Sequence, residues 1–344
     1  MGALLLCLVI CTQVLIVGTV AGGGAAPRPP AMYVFGSSIL DVGNNNYLPG
    51  AAVGRANRRY NGIDFPGSIP TGRFSNGYNI ADYVAKNMGF ACSPPAYLSL
   101  ASSCGATPLA NGINYASGGA GILDSTNAGN TIPLSKQVQY FGATKAKMVA
   151  AVGPRKANAL ISRSIFLFGI GNNDMYVFAG AERAQNRSAA DQRRDAAALY
   201  ASLISNYSAT VTELYSMGAR KLAIINFAAG FNAILRSRLA GLAAELSGLV
   251  YSLADSFGFT RDVLADPRAS GYTDVADACC GSGRLGGEAE CFPNSTLCAN
   301  RDQHVFWDRA HLTQRTAFLI AKAFYNGPAK YTTPINFTQL AQSS

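Results

Sequence analysis

The sequence predicts an α/β fold built on a central parallel sheet, and three observations predict it. Short apolar runs alternate with longer amphipathic stretches, the order expected of repeated strand–helix units. The run Ile165 to Ile170 is rich in β-branched and aromatic residues, as a buried strand requires. Glycines stand where helices should stop, at Gly89 and Gly218.

Taken in order, Ala31 to Phe35 reads as the first strand and Asn76 to Met88 as a helix ended by Gly89. Gly112 to Ala116 reads as a short second strand and Ile165 to Ile170 as a third. Ala189 to Met217 is a long helix, separated by Gly218 from a strand over Lys221 to Phe227. Leu249 to Ala254 supplies another strand, and Thr313 to Tyr325 a C-terminal helix. Open parallel sheets bind ligands beyond the carboxyl ends of their strands, so polar residues just after strands carry the functional interest.

A chain of 344 residues with 49% hydrophobic content is far from a disordered composition. It reads as one catalytic domain over residues 27–344, preceded by a signal peptide over residues 1–26. The apolar run Ala3 to Ala21, closed by small residues and followed by Pro27, Pro29 and Pro30, fits secretory cleavage. The competing reading is a retained anchor, since the run is barely long enough to span a bilayer and its start lacks positive charge. Membrane association depends on that alternative. Position 6 is Leu6, which does not fit myristoylation.

Cleavage would remove Cys7 and Cys11 and leave Cys92, Cys104, Cys279, Cys280, Cys291 and Cys298, an even set that reads as disulfides in a secreted chain. The preferred bridge is Cys92 with Cys104; pairing among the other four stays open. Acceptor sequons at Asn186, Asn206, Asn294 and Asn336 agree with export and glycosylation. The formal charge of +9 is scattered, with no long basic run or interleaved aromatic stripe, which argues against a nucleic-acid groove. A basic solvated surface is the plain reading, and attraction to acidic polysaccharide the sharper one.

Three strand ends are unusual: Gly36-Ser37-Ser38-Ile39, Ser117-Gly118-Gly119-Ala120-Gly121 and Gly171-Asn172-Asn173-Asp174. They offer a hydroxyl, a flexible backbone able to present N–H groups and a side-chain amide, the parts acyl transfer needs. A serine needs a base, and the chain has only two histidines, His304 and His311. Asp308 lies three residues before His311, a spacing that lets a carboxylate hold one ring nitrogen and free the other. His304 reads as structural, Asp174 as ordering its own loop, and Asp41 as a partner of the Asn44 to Asn46 loop. A zinc site at the four late cysteines with His304 fits poorly, because the adjacent Cys279 and Cys280 lack zinc-finger spacing. Gly281 to Gly286 matches a dinucleotide fingerprint literally but follows cysteines instead of a strand, and is rejected. A metal-dependent hydrolase is disfavoured by the scarcity of histidine and of clustered carboxylates; neither metal nor cofactor is expected.

Val34 to Tyr47, Thr71 to Gly77, Asn114 to Gly121, Gly171 to Asp174 and Phe306 to His311 together resemble the plant GDSL esterase/lipase family of the SGNH hydrolases, in family order. The resemblance implies a flavodoxin-like three-layer sandwich. It implies Ser38 as nucleophile and, by its own N–H, as an oxyanion donor. It gives the second donor to Gly119, with Gly118 the neighbour to confuse it with, and the third to the Asn173 side chain. Asp308 and His311 complete the triad. Two departures stand out. The family's Gly-Asp-Ser-Leu is here Gly36-Ser37-Ser38-Ile39, so the carboxylate beside the nucleophile is missing. After the Lys221 strand, Phe227 to Ala233 lacks the family's prolines and cysteine, and the helical stretch Ile234 to Leu246 looks short.

The expected function is therefore a secreted serine ester hydrolase acting on a small-molecule, lipid or acylated-polysaccharide ester. The alternative is a catalytically weakened protein that binds polysaccharide or lipid, because Ser37 replaces the family aspartate. Sequence leaves the acyl and alcohol specificity and the oligomeric state open.

Overall fold

The computed structural model describes residues 28–102, 111–185, 187–226 and 229–343. Its centre is a five-stranded sheet in the order β1 (Met32–Gly36), β2 (Ile165–Gly169), β3 (Lys221–Asn226), β4 (Val250–Asp255) and β9 (Thr332–Thr333). The first four run parallel and β9 pairs antiparallel with β4. Residues 111–117 extend along the free edge of β1. There Val34 N–H donates to Ile113 O at 3.0 Å and Tyr115 N–H donates to Val34 O at 2.8 Å.

That edge segment corrects the expected strand over Gly112 to Ala116, which forms only isolated bridges at Asn114. The reason is local. Gly112 has a φ of +92°, and the Asn114 side chain is engaged with Leu40 O and Ala116 N–H. The helix expected from Asn76 starts instead at Ile80, as α1 (Ile80–Asn87), because Asn79 and Asp82 form a reciprocal cap. The residues before it are used elsewhere, as described below.

Helices α2 (Leu134–Val152), α3 (Pro154–Arg163), α4 (Asn172–Ala184), α5 (Ala189–Ser216) and α6 (Ala229–Glu245) follow in the first part of the chain. Later come α7 (Ser256–Ala265), α8 (Gln314–Asn326) and α9 (Phe337–Gln342). Sequence reading missed α2, α3, α4, α7 and α9, and began α6 five residues late, at Ile234 instead of Ala229. Among the described residues, no helix is long and apolar enough to cross a membrane.

Strand residues alternate between two cores. Tyr33, Phe35, Phe166, Phe168, Leu222 and Ile224 pack with α2, α3, α5 and α6. Met32, Val34, Ile165, Leu167, Ala223 and Ile225 pack with α1, α7, α8 and α9. Both faces are buried, which is why these strands read as continuous apolar runs and not as alternating ones. Each large side chain so buried contributes about 1.5–3 kcal/mol. Phe35 stacks on Phe168 at 5.1 Å, pinning the β1–β2 register beside the site.

A second, smaller region lies between β4 and α8. There β5 (Asp274–Ala278) pairs with β8 (His304–Phe306), and β6 (Cys280–Gly281) pairs with β7 (Thr296–Leu297). The pairing left open by the sequence is Cys279–Cys298 and Cys280–Cys291. The expected Cys92–Cys104 bridge cannot be placed, since Cys104 lies outside the described residues, as do residues 1–27 and Asn186.

Candidate active site

The turn after β1 is built to hold a serine at the sheet's carboxyl edge. Gly36 is gripped by Gln137, whose Oε1 accepts from Gly36 N–H at 2.8 Å and whose Nε2 donates to Gly36 O at 2.9 Å. Sequence reading gave Gln137 no role; nothing local marks it, since the contact spans the chain from α2. Ser38 then sits in a tight turn closed by Leu40 and Asp41 N–H groups on Ser37 O, and it is 6% exposed. Ser37 N–H donates to Gly169 O and Leu40 N–H to Ser37 O, but the Ser38 N–H has no acceptor among the described residues.

The same pattern recurs in the loop at the end of the edge segment. Gly118 N–H donates to Asp41 Oδ2 at 3.0 Å and Ala120 N–H to Ser117 O at 3.1 Å, while the Gly119 N–H between them has no acceptor among the described residues. Gly119 has a φ of +82°, a conformation that favours glycine. Gly118 is glycine for a different reason: a Cβ there would lie 2.5 Å from the Phe74 ring.

Asp41 joins the two turns. Its Oδ1 accepts from Gly43 and Asn44 N–H groups at 2.7 Å each, and its Oδ2 from Gly118. Full burial pushes its pKa up to about 6, against those N–H donors, which pull it down. Asn44 and Asn45 back the glycine strand with side-chain donations to Asn114 O, Ala116 O and Gly118 O. The expectation that Asp41 serves its own loop thus covers half of what it does; the long-range bond to Gly118 was not visible in sequence.

Gly171 to Asp174, read as a loop after β2, is the start of α4. Asn173 Nδ2 donates to Ala120 O at 2.9 Å, which brings its amide beside the glycine loop and leaves its second N–H for another acceptor. Asp174 orders a neighbouring loop instead of its own: its carboxylate accepts from Ile122 N–H, Leu123 N–H and Thr126 Oγ1. Ser37 Oγ faces Asn172 Oδ1 at 3.2 Å and Gly169 O at 3.4 Å, so the departure from the family motif sits among neutral acceptors.

On the opposite side, Asp308 Oδ1 and Oδ2 lie 2.8 and 2.9 Å from His311 Nδ1. Asp308 is buried, which alone would raise its pKa. The facing His311 ring and the N–H groups of Ala310 and His311 outweigh burial and hold it below its ordinary value. An ionised carboxylate only accepts, so Nδ1 carries the proton and Nε2 is left as the acceptor. His304 is elsewhere, half-buried with Nδ1 3.8 Å from Asp274 Oδ2.

Phe74 links the halves. Its ring packs on the His311 imidazole with centroids 4.9 Å apart, and it also borders Gly118. The segment carrying it is fastened on both sides. Arg73 makes a bidentate pair with Asp82 of α1 at 2.7 and 2.8 Å, Ser75 Oγ donates to Leu312 O, and Asn76 Oδ1 accepts from Gln314 N–H. Ile39, next to Ser38, and Leu312, next to His311, line one narrow crevice with Phe74. Sequence reading named the Thr71 to Gly77 block without giving Phe74 a role; its aromatic face becomes informative only once His311 is beside it.

Among the described residues, no group of three His, Cys, Asp or Glu side chains is arranged to hold a metal ion. The arrangement offers a hydroxyl, a base held by a buried carboxylate and unpaired N–H donors, a set suited to acyl transfer.

Comparison with known proteins agrees. A profile described as GDSL-like Lipase/Acylhydrolase matches residues 32–324. An Arabidopsis thaliana GDSL esterase/lipase is 34% identical over 95% of this chain and 93% of its own length. GDSL esterase/lipase 7 of the same plant is 33% identical over 99% of this chain and 100% of its own, and GDSL esterase/lipase LTL1 is 33% identical over 90% of each. With its matched blocks spread from β1 to α8, the chain belongs to the GDSL-like lipase/acylhydrolase family and is a carboxylic-ester hydrolase by class.

Proposed function

We propose that the chain is a secreted serine esterase that works through an acyl-Ser38 intermediate. The observation that carries this reading is the buried Asp308–His311 pair, which the Phe74 ring, packed on the His311 imidazole and bordering Gly118, joins to the glycine loop. His311 Nε2 takes the Ser38 hydroxyl proton as Oγ attacks the ester carbonyl. The oxyanion is received by the N–H groups of Ser38 and Gly119 and by the Asn173 amide. Collapse expels the alcohol, which takes the proton from His311. Water, deprotonated by the same nitrogen, then attacks the acyl-serine, and the acid leaves with the hydroxyl restored. Substrates are small-molecule, lipid or acylated-polysaccharide esters.

The flavodoxin-like three-layer form fits this reading, since counting residues 111–117 as a strand gives the order 2-1-3-4-5. Export is supported by the N-terminal apolar run and by exposed sequons at Asn206 and Asn294. The test is release of p-nitrophenol from a short-chain ester by purified protein, with covalent labelling by a fluorophosphonate. Ser38→Ala should remove both; equal rates for wild type and variant would refute the mechanism. The second reading, a weakened binding protein, draws on the neutral Ser37 hydroxyl where the family places a carboxylate. It expects no labelling of Ser38 together with binding to acetylated polysaccharide, and clear labelling would exclude it.

A further inference from the structure

Helix α8 begins three residues after His311, yet one of its faces turns away from the crevice. Arg315, Lys322 and Asn326 stand along that face and, with Arg268, Phe259 and Tyr331, line a cleft of about 600 Å³. The cleft shares no lining residue with the crevice beside Ser38. Three cations and no carboxylate border it. Two acids sit just behind its wall and are already paired: Asp262 accepts from Lys330 and from the Tyr331 hydroxyl, and Asp266 from Ala269 N–H.

Arg315 is incompletely paired. Its Nη2 donates to Ser270 O at 3.1 Å, but its Nε is buried with no partner among the described residues. A planar guanidinium with unused donors is suited to a carboxylate or phosphate. Arg315 and Lys322 are two helical turns apart, about 10 Å along the axis. A single small anion seated on Arg315 therefore does not reach Lys322, whereas a chain with repeated charges does. The partly exposed Tyr331, backed by the buried Phe259, adds aromatic surface against which a ring can lie, and a concave cleft admits a chain more readily than a flat bilayer. The net charge of +9 draws polyanions toward the surface.

We propose that this cleft binds a carboxylate-bearing polysaccharide, separately from ester cleavage. The experiment is calorimetric titration of the full chain with polygalacturonate, with inorganic phosphate and with anionic phosphatidylserine vesicles. The wild type is compared with Arg268→Gln/Lys322→Gln and with a triple variant that adds Arg315→Gln. The double variant alters only exposed positions, so it keeps the test open if the triple variant fails to fold. The expected result is salt-sensitive binding of polygalacturonate, weakened at least tenfold in the double variant, with p-nitrophenyl ester hydrolysis unchanged. Binding of equal strength in wild type and double variant would overturn the proposal. So would binding of phosphate as tight as that of the polymer, vesicle binding without polymer binding, or no binding at all.

Discussion

The two sides of the candidate site are held by different means. The serine side is part of the main sheet: Ser38 and Gly119 lie in turns that continue β1 and its neighbouring segment, and their frame is backbone hydrogen bonds plus the buried Asp41. The histidine side hangs outside that sheet. Its loop is anchored by Cys279 N–H on Phe306 O, Cys280 N–H on Trp307 O and the Trp307 indole on Asn61, in a region closed by two disulfides. The serine side is thus secured by the main sheet, and the histidine side by covalent staples, a few backbone bonds to the small β5–β8 pair and one indole hydrogen bond.

The sharpest break in that comparison is Asp308→Asn. An amide facing Nδ1 favours the wrong tautomer, and kcat is expected to fall about 10³–10⁴-fold with the fold intact by circular dichroism. A loss below tenfold would separate Asp308 from the chemistry. On the other side, Gly119→Ala adds a Cβ 3.0 Å from Thr131 Cγ2 at a φ of +82° and displaces the unpaired N–H. Steady-state kinetics should show kcat down about 10²–10³-fold with a small change in KM; unchanged kcat would remove Gly119 from oxyanion binding.

Replacing Cys280 and Cys291 together by Ser should cost about 2–5 kcal/mol. Because the loss is local to the histidine side, activity should disappear at a lower temperature than far-UV ellipticity. Coincident transitions would mean that both sides share one stability. Phe74→Leu should lower kcat a few-fold, about 5-fold, by loosening the imidazole between its ring and the carboxylate, with Phe74→Tyr restoring it. An equal loss in the Tyr variant would make the ring a packing element only.

The smallest effect is on pH dependence, and it has opposite sign on the two sides. Burial raises Asp41 from 3.8 to about 6, so its stabilising contribution is full below 3.8 and is lost as pH rises through 6. Asp308 is lowered, so its contribution is present above 3.8 and is lost as pH falls through its folded value. Denaturant titrations between pH 3 and 7 should therefore show Asp41→Asn removing a decline with rising pH, and Asp308→Asn removing an increase. Slopes changing in the same direction would contradict the assignment.

Strands β1 to β4 were legible because each is a short apolar run buried on both faces, a property of the run itself. Two of the helices that escaped, α2 and α4, have no side-chain cap to mark their start. Helix α2 follows Pro133 with no side-chain cap, and α4 opens on polar residues that read as a loop because Asn173 and Asp174 are committed to distant partners. Of the site, the reactive residue types and the Asp308–His311 spacing were legible from residue chemistry and from family resemblance. Gln137, Phe74 and the bridging role of Asp41 were not, since each acts across at least 70 positions or through a ring contact.

By itself the sequence determined which groups are available: a serine at a strand end, one histidine with an aspartate a turn away, glycines able to turn backbone N–H groups inward and cysteines in pairs. Those are properties of residue type and short-range spacing. Tertiary structure alone decided which of them meet. Asp41 reaches Gly118 and Ser75 reaches Leu312 only because the sheet and α1 bring remote segments into contact, and the same closure buries Asp308. Burial and unpaired donors arise from three-dimensional packing, so no local pattern encodes the environment in which Ser38 and His311 are held.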